Sequence, residues 1–300
     1  MALYSACVKG DLEEVKIIAN YENVNTKNEE IYTPLWYSLK YGNHEIAEYL
    51  VKEVGVDNVS QDDEGNTPLL MVCSYYNLDL VKHLIEVKGV DVESKNNEGD
   101  TPLLSSCWNG YIDIVKYLVE EANSNLEVKD NNGDTLLGCA SIGGHLEIVE
   151  YLVKTCNLDV EIKNDQGYTP LYYCAQFGDL EIAKFLLENT TADIETKNNN
   201  GETPLISASQ FGKTHMVELL LEKGADIDAV DGEGDTSLIN ASKNRHIEVM
   251  KILIENGANT RVLNNDEKDF RFFLGGNREE IESFIKDIQL RKMMIKPNRR

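Results

Sequence analysis

Two kinds of apolar pattern alternate along the chain. In Leu180-Glu-Ile-Ala-Lys-Phe-Leu-Leu187 the apolar residues fall at helical spacing with charges between them, which predicts a helix buried along one face. Ile112-Asp-Ile-Val-Lys-Tyr-Leu-Val119 repeats that pattern. Ahead of it runs a shorter, more uniformly apolar stretch that opens on Thr-Pro-Leu, as at Thr169-Pro-Leu171, and ends at a glycine such as Gly42, Gly110, Gly144, Gly178 or Gly212. Thr suits a helix N-cap because its side-chain oxygen accepts from an unpaired backbone N–H. Pro suits the first helical position, where its missing N–H costs nothing. The second stretch stops at Gly55, Gly89, Asn123, Asn157, Thr191, Gly224 and Gly257. Gly and Asn tolerate the left-handed conformation that closes a helix. Helix, break, helix and turn is the local expectation.

This unit recurs at a fixed period. Its turn reads Asp63-Glu-Gly-Asn-Thr-Pro-Leu69, Asn97-Glu-Gly-Asp-Thr-Pro-Leu103, Asp165-Gln-Gly-Tyr-Thr-Pro-Leu171 and Asn199-Asn-Gly-Glu-Thr-Pro-Leu205, with weaker copies ending at Leu137 and Leu238. The threonines are Thr33, Thr67, Thr101, Thr135, Thr169, Thr203 and Thr236, five steps of 34 residues and one of 33. Such a period marks stacked repeats, each burying its apolar face against its neighbours. The Asx residue six places before Leu is expected to shape the turn, with the following Gly at positive φ. From each stop to the next Thr is always twelve residues, so the extra residue of the longer copies is expected in the second helix or its end.

Turn, helix, helix and a Gly-Ala-Asp-like exit at this period resembles the ankyrin repeat. The resemblance is carried by Thr169-Pro-Leu171, Gly178-Asp-Leu-Glu-Ile182, Phe185-Leu-Leu187 and Gly224-Ala-Asp-Ile-Asp228 and spans roughly residues 1–290. It implies an all-α, ankyrin-type helix-turn-helix solenoid with short hairpin-like turns at the repeat junctions. One domain is expected over residues 1–300. It would comprise an N-terminal capping unit at 1–32 (exit turn at 28–31), seven repeats over 33–268, a C-terminal capping unit at 269–292 with Asp269 as its N-cap, and a basic tail at 293–300. The family has His directly after Thr-Pro-Leu, where it ties neighbouring repeats. Here that place holds Trp36, Leu70, Leu104, Gly138, Tyr172, Ile206 and Ile239. Apolar packing is expected to replace the tie, and at Gly138 nothing obvious does.

Charge narrows the partner. The chain has 52 acidic and 29 basic residues, a net charge of −23. This field repels a phosphate backbone, so nucleic-acid binding is not expected, and a basic partner complements it. The same charge also keeps a long array in solution. No apolar run approaches about 18 residues, so no membrane insertion is expected. The start of the chain is too polar for a signal peptide and aligns instead with a first helix. Among the six cysteines, Cys7, Cys73 and Cys107 take a place where the family has a buried Ala. They read as small core residues of a reducing compartment, the cytoplasm or alternatively the nucleus.

No residues suggest catalysis. Phosphate loop, dinucleotide fingerprint, Cys-x-x-Cys and His-Glu-x-x-His are all missing from the sequence, and four of the five histidines sit near the start of a second helix, where a structural role is expected. No enzyme activity, cofactor or metal is expected. What remains is a surface. In ankyrin-like arrays the first helices and turn tips line a concave face that usually holds the partner. Residues four, seven and eight after each Thr are expected to be exposed there. They include Tyr37, Tyr41, Tyr75, Trp108, Ile142, Tyr173, Phe177 and Phe211, bordered by Glu98, Asp100, Asp134 and Asp165. Gly138, Cys139 and Gly143 are expected to leave a low spot, with Trp108 on one side and Tyr173 with Phe177 on the other. These twelve residues form the candidate partner-binding site, for a basic or amphipathic protein segment. A monomeric scaffold or adaptor is the leading reading. Its rivals are a self-assembling structural array and a regulatory subunit or inhibitor of an enzyme.

Overall fold

A computed structural model describes residues 2–20, 24–25, 32–56 and 61–295. The expected N-terminal exit turn at 28–31 and residues 296–300 of the tail lie outside them. The chain divides into two compact units, Met1–Ile148 and Val149–Arg300, each built of stacked helix pairs. Among the described residues there is no strand, only one isolated bridge between Val230 and Thr236.

The threonines do what their chemistry predicts. In all seven repeats the Thr hydroxyl oxygen accepts from the backbone N–H three residues on, at 3.2–3.3 Å. Where Pro follows, it is the first helical residue, as in Pro102–Asn109 and Pro170–Phe177. Asp269 caps the last pair by accepting from Arg271 N at 3.0 Å, but a short 3-10 turn, Phe270–Phe273, follows in place of an α-helix. The closing helix, Arg278–Ile295, runs past the expected end at 292 into the tail.

The turn is closed one residue earlier than expected. Asp62, Asn96, Asp130, Asn164, Asn198, Asp231 and Asn264 stand five places before each cap. The side-chain Oδ1 of each accepts from two backbone N–H groups of its own turn, at 2.8 and 2.7 Å in the case of Asp130. At Asn97, Asn131, Asn199, Gly232 and Asn265 the residue after it ties the turn to the preceding one. Asn131 donates its backbone N–H to Glu98 O at 2.9 Å and its Nδ2 to Asn97 O at 2.9 Å. Asn97 does the same to Glu64 O and Asp63 O, and Asn199 to Gln166 O and Asp165 O. Gly99 permits this approach: it has φ +84°, and a Cβ there would lie 2.8 Å from Asn131 N.

These ties, and not apolar packing alone, stand in for the missing histidine. Lysines and glutamates in the exit segments extend them. Lys95, Lys163 and Lys197 donate to the carbonyls of Lys129, Lys197 and Val230 at 2.8–2.9 Å. Glu93, Glu161 and Glu195 accept from the backbone of Asn125, Asp193 and Asp226. Tyr172, in the histidine's own place, reaches Glu202 at 2.7 Å. Each lysine and glutamate of these ladders meets the neighbouring repeat's backbone at the surface, and Tyr172 meets a side chain.

The extra residue of the 34-residue copies lies at the end of the second helix, as the spacing implies. In four of the five the exit N–H bonds six residues back, as Ser124 to Leu118 O and Leu158 to Leu152 O, while in the Thr169 repeat Thr190 Oγ1 accepts from Ala192 N and donates to Leu186 O. In the shorter copies the exit N–H bonds five back, Ala225 to Leu220 O and Ala258 to Leu253 O. In the Thr33 repeat the widening becomes a π-helical segment, Tyr49–Val54. The core between the helix layers is apolar, with Leu69, Leu84, Leu118, Leu152, Leu186 and Leu253 fully buried. All six cysteines are free and five are buried. Burial pushes the Cys7 and Cys73 thiols up to about 12.

Candidate partner-binding surface

The first helices present only part of the expected surface. Position +8, counted from each Thr, carries exposed rings at Tyr41, Phe177 and Phe211, and position +7 carries exposed Trp108. Tyr75 and Ile142 are half-buried. Position +4 is buried in every repeat, which corrects the expectation for Tyr37 and Tyr173, 9% and 6% exposed. At Tyr173 and Asn240 the turn tip's Asx residue folds over the helix at +4, whereas Tyr37 packs against the rings of Tyr4, Tyr32 and Trp36. Asn164 Nδ2 donates to the Tyr173 hydroxyl at 2.8 Å, and Asn240 Nδ2 to Asp231 Oδ2 at 3.1 Å.

The buried rings still serve the surface by supporting the exposed ones. Tyr37 stacks against Tyr41 with centroids 6.4 Å apart, and Tyr173 against Phe177 at the same spacing. Tyr32, Trp36 and Tyr37 extend the first of these clusters, with Tyr32 and Trp36 stacked at 3.8 Å. Such contacts hold a ring in one orientation before anything binds.

Among the rim acids, Glu98 and Asp165 are exposed, Asp100 is half-buried and Asp134 is buried. Burial, with Asp130, Glu98 and Asp134 adding to it, pushes the Asp100 carboxyl above its ordinary range despite a hydrogen bond from Asn96.

The low spot does not form as expected. Gly138 and Cys139 are buried within their helix. Gly143 makes room for its neighbour: a Cβ there would lie 2.5 Å from both the His145 ring and Trp108 O. His145 Nε2 sits 2.9 Å from Trp108 O, at the end of the preceding first helix. His246 bonds Gln210 O in the same way, so both histidines are structural. In the N-terminal compact unit Trp108 and Ile142 instead line a groove of about 480 Å³ together with Tyr75, Met71 and Trp36. Its outer wall is the turn tips, with Glu64, Glu98, Asp100, Asp130 and Asp134. Tyr173 and Phe177 belong to the other compact unit. Trp36 and Glu64 join this groove without any sign of it in the helical spacing, since Trp36 takes the histidine's place, where apolar packing is expected.

With helix pairs, capped threonines and turn-tip ties in place, comparison with known proteins is decisive. The family described as "Ankyrin repeats (3 copies)" matches four times, over residues 1–62, 54–130, 122–198 and 190–264. The chain belongs to the ankyrin-repeat family. Among solved structures it is similar to the "Crystal structure of the ankyrin repeat domain of Bcl-3: a unique member of the IkappaB protein family". That match has 26% identity and a TM-score of 0.60, and covers 76% of this chain and 100% of that one. No curated protein matches the chain. Ankyrin repeats act through protein–protein contacts. No described helix of this ankyrin-repeat chain is long and apolar enough to cross a membrane. Among the described residues no group of three or more His, Cys, Asp or Glu is placed to hold a metal ion.

Proposed function

We propose that this ankyrin-repeat chain is a non-enzymatic scaffold or adaptor that holds a basic or amphipathic segment of a protein partner on the face made by its first helices and turn tips. The observation that carries this reading is the exposed rings on the first helices, Tyr41 and Trp108 in one compact unit and Phe177 and Phe211 in the other, beside turn tips rich in carboxylates. Large aromatic side chains with a polar rim are the anatomy of a protein contact. The ankyrin-repeat domain of Bcl-3, a member of the IkappaB protein family, has the same kind of fold. The chain acts as a monomer in a reducing compartment, the cytoplasm or the nucleus; its five buried free thiols support that placement.

The test is capture from cell extract by the intact chain and by a variant with Tyr41, Trp108, Phe177 and Phe211 all changed to Ser, followed by hydrogen-exchange footprinting of the purified complex. The expected result is a partner lost by the variant, with protection over the first helices and tips. Single ring-to-Ala changes are expected to cost about 1–3 kcal/mol of affinity. A partner retained by the variant, with its footprint on the second helices, overturns the reading.

A further inference from the structure

Two repeats carry a carboxylate both three places and one place before the capping Thr: Glu98 and Asp100 before Thr101, and Glu233 and Asp235 before Thr236. In the second of them the chain itself supplies a cation. Lys243, seven places after Thr236, bonds Glu233 Oε2 at 3.0 Å and also bonds Asp235, which is 1% exposed at its side chain. Burial works against the charge of Lys243, yet the two carboxylates outweigh it and hold its pKa above the ordinary lysine value.

In the Thr101 repeat the residue seven places after the Thr is Trp108, not a lysine. The same cradle therefore has no cation of its own. Among the described residues no lysine or arginine pairs with Glu98 or Asp100, and none lines the groove into which they face. Asp100 responds as an unanswered acid does, with its carboxyl pushed above the usual range by burial and by neighbouring carboxylates. In place of the ammonium stands an indole that is 49% exposed. The face of an indole attracts a cation, and this chain already uses that contact, with Lys40 Nζ 4.3 Å from the Trp36 ring centroid. The groove is deep enough, at about 480 Å³, to take a long side chain from outside.

We propose that the groove bounded by Trp108, Glu98 and Asp100 seats one lysine or arginine side chain of the partner, in the place that Lys243 occupies in the Thr236 repeat. The charged end meets the two carboxylates and its stem lies along the indole and Tyr75. This rests on the reading of the face as a protein-binding surface and names its anchor.

The first arm of the test needs no partner. In Trp108→Lys the new ammonium is expected to reach Glu98 and Asp100, so carboxyl NMR should show the Asp100 titration falling to or below its ordinary range. An unchanged titration overturns the equivalence of the two cradles. The second arm selects twelve-residue peptides from a displayed random library on the full chain. Selected peptides are expected to share a basic residue. Its replacement by citrulline (for Arg) or acetyl-lysine (for Lys) should weaken binding at least tenfold to the wild type and hardly at all to Trp108→Lys. Thermal stability of the variant at neutral pH should be no lower than the parent's. Peptides that protect this face but need no basic residue, or that bind Trp108→Lys as well as the parent, overturn the anchor and leave the scaffold reading standing. Peptides that protect only the second helices sink both, and a selection that enriches no basic peptide overturns the anchor.

Discussion

At the scale of single residues, the polar side chains of the turns serve the stack. The Asx five places before each cap closes its own turn, and in five of the turns the residue after it bonds the turn before. Asp100 is an exception, since its carboxylate pays a burial cost without a cation in return. The sign of its effect follows. Its folded pKa is raised, so the native state binds the proton more tightly than the unfolded chain, and stability rises as pH falls through that raised value. Above it the penalty is present in full; below the unfolded value, about 3.9, it is gone. Asp100→Asn keeps an acceptor for Asn96 and removes the charge. It is expected to raise the Tm at neutral pH, with the gain fading as pH drops toward 4, while weakening capture of basic peptides. Calorimetry across that pH range checks the first part, and a Tm lowered at pH 7 contradicts it.

At the scale of elements, the first helices differ in how firmly they are set. Pro170–Phe177 has Thr169 as cap, Pro at its first position and Gly178 only at its end. Leu136–Ile142 has the same Thr cap but lacks the Pro, carries Gly138 inside, and is followed by Gly143 and Gly144. An interior Gly costs roughly 0.5–1 kcal/mol relative to Ala, and Pro at the start lowers the entropy of the unfolded chain. Amides of residues 136–144 are therefore expected to exchange faster than those of 170–178 in native-state hydrogen exchange. Equal protection factors would remove this contrast. The second helices are alike until their last turn, where four of the five longer copies absorb one residue in a wide exit bond.

At the scale of the whole molecule, each repeat depends on its neighbours, so the last one needs a cover. Phe270, Leu274 and Ile281 are buried at the C-terminal end, and the cap is held by bonds from Ser242 Oγ to Phe270 O at 2.6 Å and from Arg271 Nη1 to Thr260 O at 2.7 Å. Removing residues 269–300 strips these contacts and bares the apolar side of the helix Ile247–Glu255. Residues 236–268 are expected to lose hydrogen-exchange protection and the truncated chain to aggregate. A monomeric truncation with the parent's protection there would show that the cap is dispensable. The net charge of −23 belongs to this scale too, because it would raise the encounter rate of the basic segment proposed above before any contact forms.

Much of what is local or periodic was legible in the sequence, though the Asx that closes each turn stands one residue before the expected one. The Thr caps, the Pro starts, the glycine breaks and the site of the extra residue depend on a few neighbouring residues and a fixed spacing, and each stands where the pattern placed it. The exposed rings at Tyr41, Trp108, Phe177 and Phe211 followed from the same helical phase. Tertiary structure decided the rest. Helical phase alone cannot say that a turn tip folds over Tyr173 or that neighbouring rings enclose Tyr37, so both are buried where helical phase predicts surface. Nor does a list of glycines say that Gly143 makes way for the ring of His145. Above all, the pairing of Glu233 and Asp235 with Lys243 spans a turn and a helix. Only once the chain is folded does the matching place beside Trp108 become visible, because a cradle is made by side chains that sequence order holds apart and backbone geometry brings together.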